Sequence, residues 1–498
     1  MSNSPARQPN ILIVMPDELR WDALGCARHP VFKTPHVDRL AREGVLFTRA
    51  YCTGPLCMPA RASMISGTYP HNHGIYENAG SLPVGDETYA HLLQRAGYAT
   101  AYVGKTHFGS DAPSSRTTSA PAGAGTQSLV SPEAVAKKRG FDYVHQIPGP
   151  LALTRTDNHL TRRWAELGLL ESYREDYRRR AADPGAGAWA SPLPVEEFAD
   201  SYVGDRAEEW LRSYKDERPF LLVVGFGGPH PPFDAPEPYA SMYHPDTMPD
   251  PIPPGEPGPW LPAHALQRMT RTAGAGGHDR ALPTDDANRI SRARMANYGG
   301  KISLIDDRLG RILSILDERE WTENTLVIFL SDHGEMGGDH GRYHKSVFYE
   351  GAQRIPFIMR WPAGRVGRGR ETEGLPAGRR VDALVEQLDL FATVVEAAGA
   401  EPSQRAFSRS LLPLARGDAA APARDAVYSE LKREIMVRTE RYKYAVDAQG
   451  RGFMLFDLEQ DPPEQRNLIG HPDAAPIERD LREGMLKWLV TTQVVKKD

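Results

Sequence analysis

Ile11-Leu12-Ile13-Val14-Met15 is an uninterrupted apolar run that stops abruptly at Pro16-Asp17-Glu18. No polar residue alternates within it, so neither face is left for water. That pattern suits a central strand buried on both sides of a parallel sheet. The same unit recurs. Residues 100–103 form an apolar run ending at Gly104-Lys105, and residues 220–224 lead into Pro229-His230. Residues 325–330 end in Ser331-Asp332-His333, and Val45-Leu46-Phe47 reads as a further short strand. Helical stretches lie between these runs. Thr34-Pro35 opens one, with Thr34 as N-cap and Pro35 at the first helical position, closing at Gly44. Others are expected at 88–96, 196–214 and 294–319. Strands alternating with helices predict an α/β fold with a large, mostly parallel central sheet flanked by helices.

The chain is long enough for a large core, with 498 residues and 40% hydrophobic residues, so wholesale disorder is excluded. Sixty Lys+Arg face 65 Asp+Glu, a balance that gives no polyelectrolyte attraction for nucleic acid or an anionic membrane surface. Three cysteines, Cys26, Cys52 and Cys57, do not make a disulfide scaffold. The first ten residues are polar, and no segment approaches the eighteen or so apolar residues of a membrane span. The expected location is the cytoplasm.

Two stretches interrupt the strand–helix order. Residues 110–140 are rich in Ser, Thr, Ala, Pro and Gly, and residues 231–287 are dense in Pro and Gly. Both read as surface excursions, and the regions 110–195 and 231–290 are the expected seat of specificity. Trp164, Trp189 and Trp260 there either line a pocket or pack locally. Arg178-Arg179-Arg180 reads as a solvated helix face. Beyond a helix at 385–398 the character changes. Short strands at 427–430, 442–446 and 454–456, then a helix at 475–489, predict a small C-terminal antiparallel sheet with a packed helix. The expected division is a catalytic domain over 1–400 and a small α+β subdomain over 401–498.

Ligands of open α/β sheets bind at the carboxyl ends of the strands. This chain places Asp17 and Glu18, Lys105 and His107, His230, and Asp332 and His333 at such ends. Parallel strands bring these ends to one edge. Asp17, Glu18 and Asp332 are hard oxygen donors suited to Ca²⁺, Mg²⁺ or Mn²⁺, and His333 tilts the set toward a transition ion such as Mn²⁺. Lys105, His107, His230 and Lys345 add positive charge and proton-transfer capacity. A carboxylate-ringed metal facing cations stabilises a transferring sulfuryl or phosphoryl group.

Cys57 lies in Cys57-Met58-Pro59-Ala60-Arg61, where Pro59 sits at a helix start and Gly67 ends the helix. A thiol at a helix N-terminus is activated by the dipole and the free amides. The spacing C-x-P-x-R resembles the sulfatase signature, and a chance match is expected only about 0.03 times in a chain of this composition. Other segments resemble the same family: Pro9 to Asp17, Thr34 to Gly44, Ser66 to Gly74, Gly104-Lys105-Thr106-His107, Pro229-His230-Pro231-Pro232, Ser331 to Glu335, Gly338-Asp339-His340-Gly341 with Lys345, and Leu455 to Leu458. The resemblance runs from about residue 9 to 470. It implies the alkaline phosphatase-like fold and a formylglycine-dependent sulfatase. Asp17-Glu18 replaces the common Asp-Asp, and Asp332-His333 replaces the common Asp-Asn. The Asp-His form resembles the branch with choline sulfatases, iduronate sulfatases and phosphonate monoester hydrolases.

The resemblance implies roles for these residues. Cys57 is converted to formylglycine by a maturation enzyme, and its hydrate is the nucleophile. One divalent ion, Ca²⁺ first and Mn²⁺ as alternative, is held by Asp17, Glu18, Asp332, His333 and residue 57. Arg61 and Lys105 position the nucleophile, His107 is the base, and His230 and Lys345 contact the sulfate. His230 is also the acid for the leaving alcohol. Asn78 either donates to a sulfate oxygen or is a turn residue. The implied substrate is a small-molecule sulfate ester, with a phosphonate monoester or phosphodiester as the alternative. A homo-oligomer is compatible with the sequence.

Overall fold

The computed structural model describes residues 8–83, 86–108, 127–128, 130–182, 188–255, 257–270, 284–361, 374–403, 405–421 and 423–493. Its centre is an eight-stranded sheet. In chain order the strands are β1 (Asn10–Asp17), β2 (Val45–Tyr51), β3 (Ala99–Gly104), β4 (Tyr143–Gln146), β5 (Phe220–Pro229), β6 (Thr325–Leu330), β7 (Arg354–Arg360) and β8 (Arg379–Glu386). The spatial order is β8-β2-β7-β6-β1-β5-β3-β4. Pairings are parallel except where β7 meets β2 and β6.

The apolar run in β1 is buried on both faces, as its sequence predicts. Ile11, Ile13 and Met15 point into one core layer, and Leu12 and Val14 into the other. Fully burying each such side chain contributes about 1.5–3 kcal/mol. The main helices are α1 (Pro35–Glu43), α2 (Cys57–Ser66), α3 (Tyr89–Arg95), α4 (Ala199–Ser213), α5 (Thr284–Glu318), α6 (Asp389–Ala397) and α7 (Ala475–Thr491). Side chains of α2, α3 and α6 fill the first layer, and those of α1, α4 and α5 the second. Among the described residues, no helix is long and apolar enough to cross a membrane.

Several local expectations change. Thr34 stands at the N-cap of α1 but its hydroxyl does not cap it. The oxygen instead accepts from the Gly25 amide at 2.9 Å and donates to Asp38. Val385 and Glu386 end strand β8 rather than starting a helix, because their backbone pairs with β2. The stretch expected as one helix from 196 breaks at Phe198, whose backbone is extended, before α4 begins. Arg180 is not on a solvated face. It is buried, pairing with Asp176 at 2.6 Å and donating to the Trp189 and Ala190 carbonyls. Trp164 is fully buried and bonds the Glu197 carbonyl, and Trp260 bonds the Asn467 carbonyl. Most of the 110–140 excursion, and residues 271–283 of the second, lie outside the described residues.

The C-terminal sheet has four antiparallel strands, β9 (Ala426–Leu431), β10 (Glu434–Thr439), β11 (Tyr442–Val446) and β12 (Gly452–Asp457), in that order. Strand β10 is absent from the sequence expectation. Its hairpin turns on Lys432-Arg433, both at positive φ (49° and 72°), a turn usually marked by Asn or Gly.

Behind α2, His73 has its tautomer fixed: Nδ1 accepts from the Ile75 amide at 3.1 Å, so Nε2 donates to Ser63 Oγ at 3.0 Å. Burial lowers its pKa to about 3. The folded value lies below the unfolded one, so the stabilisation is complete above pH ~6.5 and drains away as the pH falls. Each pH unit below that costs about 1.4 kcal/mol through this residue. His73→Asn should therefore flatten the fall in unfolding free energy between pH 6 and 4, measured by urea titration. An unchanged slope contradicts this reading.

Candidate active site

Helix α2 is the structural centre of the site. All ten of its residues are buried, and Cys57 is the first of them. Leu56 at the N-cap is extended and offers no capping side chain. Pro59 in the first turn has no amide to orphan. Asn78 supplies a cap instead: its Oδ1 accepts from the Met58 amide at 3.0 Å. Gly67 ends the helix in the left-handed conformation at φ 67°.

One turn along α2, Arg61 shares the Cys57 face. Its guanidinium is fully buried and forks between two strand ends. Nη2 meets Asp17 Oδ2 at 2.9 Å, Nε meets Asp332 Oδ2 at 2.8 Å, and Nη1 donates to the Lys105 carbonyl at 2.6 Å. Lys105 Nζ reaches Asp17 Oδ2 at 2.5 Å. Burial pushes the Asp17 carboxyl up, but Lys105 and Arg61 together hold it well below the usual carboxylate range.

Cys57 Sγ lies 3.2 Å from His333 Nε2, 3.8 Å from Asp17 Oδ1 and 3.9 Å from Lys105 Nζ. Burial and Asp17 oppose ionisation of the thiol. Lys105, Lys345 and His333 outweigh them and hold it well below its ordinary value. His333 Nδ1 donates to the Gly334 carbonyl at 3.0 Å, which turns Nε2 to the centre. His107 also bonds Cys57, burial lowers its pKa, and its Nδ1 is buried without a partner.

Donor atoms of Asp17, Cys57, Asp332 and His333 all lie within 4.8 Å of one another, and all four residues are buried. Two carboxylates, an imidazole nitrogen and a ligand from residue 57 form a chemically suitable cage for a divalent ion. Glu18 stands beside this group and clusters instead with Asp17 and His230. Its Oε2 pairs with Lys345 and lies 3.4 Å from His230 Nε2, while its Oε1 is buried without a hydrogen bond. Burial pushes the Glu18 carboxyl well above the usual range, and Glu335 adds to that push.

The expected site residues thus converge from four strand ends and α2, with Lys345 from the loop after β6 and Asn78 at the helix start. Sequence reasoning missed the groups that hold them. Tyr102 donates to the Lys105 carbonyl at 2.7 Å, and Tyr298 to the Glu18 carbonyl at 2.7 Å. Glu335 fixes the loop carrying Lys345, accepting from the Gly337 and His344 amides. Glu335 sits in the Ser331–Glu335 segment already singled out, whereas no local pattern marks Tyr102 or Tyr298.

The family profile described as sulfatase matches residues 9–400. A second, described as N-sulphoglucosamine sulphohydrolase, C-terminal, matches residues 338–490. The multifunctional alkaline phosphatase superfamily protein PehA of Trinickia caryophylli is 31% identical, over 96% of this chain and 95% of its own. An arylsulfatase of Clostridium perfringens is 28% identical, over 97% of this chain and 94% of its own. The crystal structure of the phosphonate monoester hydrolase of Agrobacterium radiobacter matches with a TM-score of 0.75 at 24% identity, covering 98% of this chain and 96% of that one, a likeness of fold. The chain, with its alkaline phosphatase-like sheet, belongs to the sulfatase family.

Proposed function

We propose that this protein hydrolyses a small-molecule sulfate monoester to an alcohol and inorganic sulfate, with residue 57 as nucleophile after a maturation enzyme has converted Cys57 to formylglycine. The observation that carries this reading is the setting of Cys57: a buried helix N-terminus, 3.2 Å from His333 and flanked by Asp17 and Lys105. A hydrated aldehyde there offers one hydroxyl to attack sulfur and a second through which the aldehyde is restored, which neither a thiol nor a serine provides. Asp17, Asp332, His333 and residue 57 would hold a divalent ion, Ca²⁺ ahead of Mn²⁺. When bound, it supplies Lewis-acid stabilisation of negative charge on the reacting oxygens.

The remaining roles belong to the chain's own groups. Arg61 and Lys105 fix Asp17 and crowd positive charge around residue 57. His107, kept neutral by burial and bonded to residue 57, takes a proton from its hydroxyl. Lys345 and His230, which both meet Glu18 Oε2, contact the sulfuryl group. His230 Nδ1 donates to the Pro231 carbonyl at 2.6 Å, so Nε2 is the nitrogen left to face the leaving alcohol; it has a proton to give only in the imidazolium form, which burial and Lys345 oppose and Asp17 favours. Asn78 is occupied through its Oδ1 by the α2 cap, which leaves its amide NH₂ for a substrate oxygen. We assign catalysis to residues 1–400. Residues 401–498 brace the nucleophile loop, where the Glu430 amide donates to the Thr53 carbonyl at 2.9 Å.

A phosphonate monoester or phosphodiester is the second reading, since the 31% identical relative is described as a multifunctional protein of the alkaline phosphatase superfamily, words that do not confine the site to sulfate. Comparing kcat/KM on an aryl sulfate and an aryl phosphonate monoester tests the proposal. Faster sulfate turnover supports it. Preference for the phosphonate transfers the same site to the second reading.

A further inference from the structure

His230 sits in a loop rather than in an element, yet its backbone is pinned from two sides. Its amide donates to the Asp17 carbonyl at 3.1 Å, which ties it to the end of β1. Its carbonyl accepts from Lys301 Nζ at 2.8 Å. Lys301 projects from the long helix α5 and is only 1% exposed. An ammonium has three N–H donors, and here each has a partner. Besides the His230 carbonyl, Nζ reaches the Pro232 carbonyl at 3.1 Å and Asp234 Oδ1 at 3.0 Å. All three acceptors belong to the five-residue stretch that begins at His230.

The end of β5 that feeds this loop is gripped as well. Asp200, buried near the start of α4, accepts from the Gly227 and Gly228 amides at 2.8 Å each. A Cβ on Gly228 would fall 2.4 Å from Asp200 Oδ2 and 3.2 Å from Lys301 Cε, so only glycine leaves room for this grip. Asn297, one turn before Lys301 on α5, accepts from the Ala235 amide at 2.5 Å. Burying an ammonium is costly, and replacing a buried ion pair with apolar side chains is often neutral or stabilising. Stability alone therefore does not account for Lys301, whereas fixing a backbone position does.

We propose that Lys301 is a positioning residue for His230: it clamps the 230–234 loop so that the imidazole Nε2 is presented to the leaving-group oxygen. The proposal rests on the reading of His230 as the acid. A group held through a backbone clamp loses catalytic effect with a small displacement, on the order of 100-fold for about 1 Å. The loss should be confined to the step His230 serves.

The test uses the full-length active enzyme and two aryl esters, phenyl sulfate and 4-nitrophenyl sulfate. The first has the poorer leaving group and needs protonation more. His230→Ala should slow phenyl sulfate far more than 4-nitrophenyl sulfate. Lys301→Met should reproduce that selectivity, lowering kcat on phenyl sulfate ~10–100-fold with KM changed by less than about threefold. In the His230→Ala background the same substitution should change kcat by less than about twofold, since its effect passes through His230. Should Lys301→Met fail to fold, Lys301→Gln is read in its place. Its amide keeps two donors, and an intermediate loss with the same selectivity is expected. Equal slowing of both esters, or an undiminished loss in the His230→Ala background, overturns the clamp. A His230→Ala enzyme that spares both esters alike overturns the acid role beneath it instead.

Discussion

Cys57→Ser lowers steady-state kcat at least on the order of 10⁴-fold, and Cys57→Ala does the same, while both proteins keep their fold. The side chain is small and fully buried, so either replacement leaves the packing of α2 nearly intact. What each removes is the group among Asp17, Lys105 and His333. Serine keeps one hydroxyl at the helix N-terminus and can still be sulfated. It lacks the second hydroxyl through which an aldehyde is restored, so turnover stops after one event. A burst of alcohol followed by no steady state distinguishes Cys57→Ser from Cys57→Ala in a stopped assay. Near-normal steady turnover by either variant contradicts the assignment of residue 57.

Arg61→Met has the largest expected effect on stability. The guanidinium is fully buried, and it bridges Asp17 and Asp332 at 2.9 and 2.8 Å. Its removal leaves Asp332 without its guanidinium partner and Asp17 with Lys105 alone, at the ends of two neighbouring central strands. Breaking a buried pair in this way costs about 3–5 kcal/mol. The same two carboxylates are those assigned to the divalent ion. The loss should therefore be largest in EDTA and smaller with excess Ca²⁺ or Mn²⁺, read from urea unfolding under each condition. A destabilisation below about 1 kcal/mol in EDTA, the size of a surface pair, contradicts the electrostatic account. An equal loss with and without the ion contradicts the metal assignment.

Much of the fold is written locally. The run Ile11 to Met15 declares burial on two faces, and both core layers take its side chains. Thr325–Leu330 occupies the expected bounds because an apolar run with sharp polar ends leaves little freedom, and Tyr442–Val446 does so although Lys443 interrupts it. Strand β7 at Arg354–Arg360 was not anticipated, nor was β8. Their place is set by pairing with β2, three hundred residues earlier, which no window of sequence contains. The Lys432-Arg433 turn lacks the Asn or Gly that would announce a hairpin.

The site divides in the same manner. Groups that meet the chemistry carry a signal, since a carboxylate or histidine at a strand end is conspicuous. Groups that hold them do not. Lys301 and Asn297 look like part of an ordinary helix, yet their function comes from a loop some seventy residues away, and Tyr298 beside them serves the Glu18 carbonyl at the far end of the chain. Arg180 shows the converse: a charge run invites a solvated reading, yet buried carbonyls claim the last of its three guanidinium groups.

The most direct measurement is the mass of the peptide containing residue 57, taken from enzyme that turns over sulfate ester. The account predicts a species about 18 Da lighter than the cysteine form, the change from thiol to aldehyde. Its fraction should track specific activity across preparations. Full activity in protein whose residue 57 is entirely an alkylatable thiol contradicts the account.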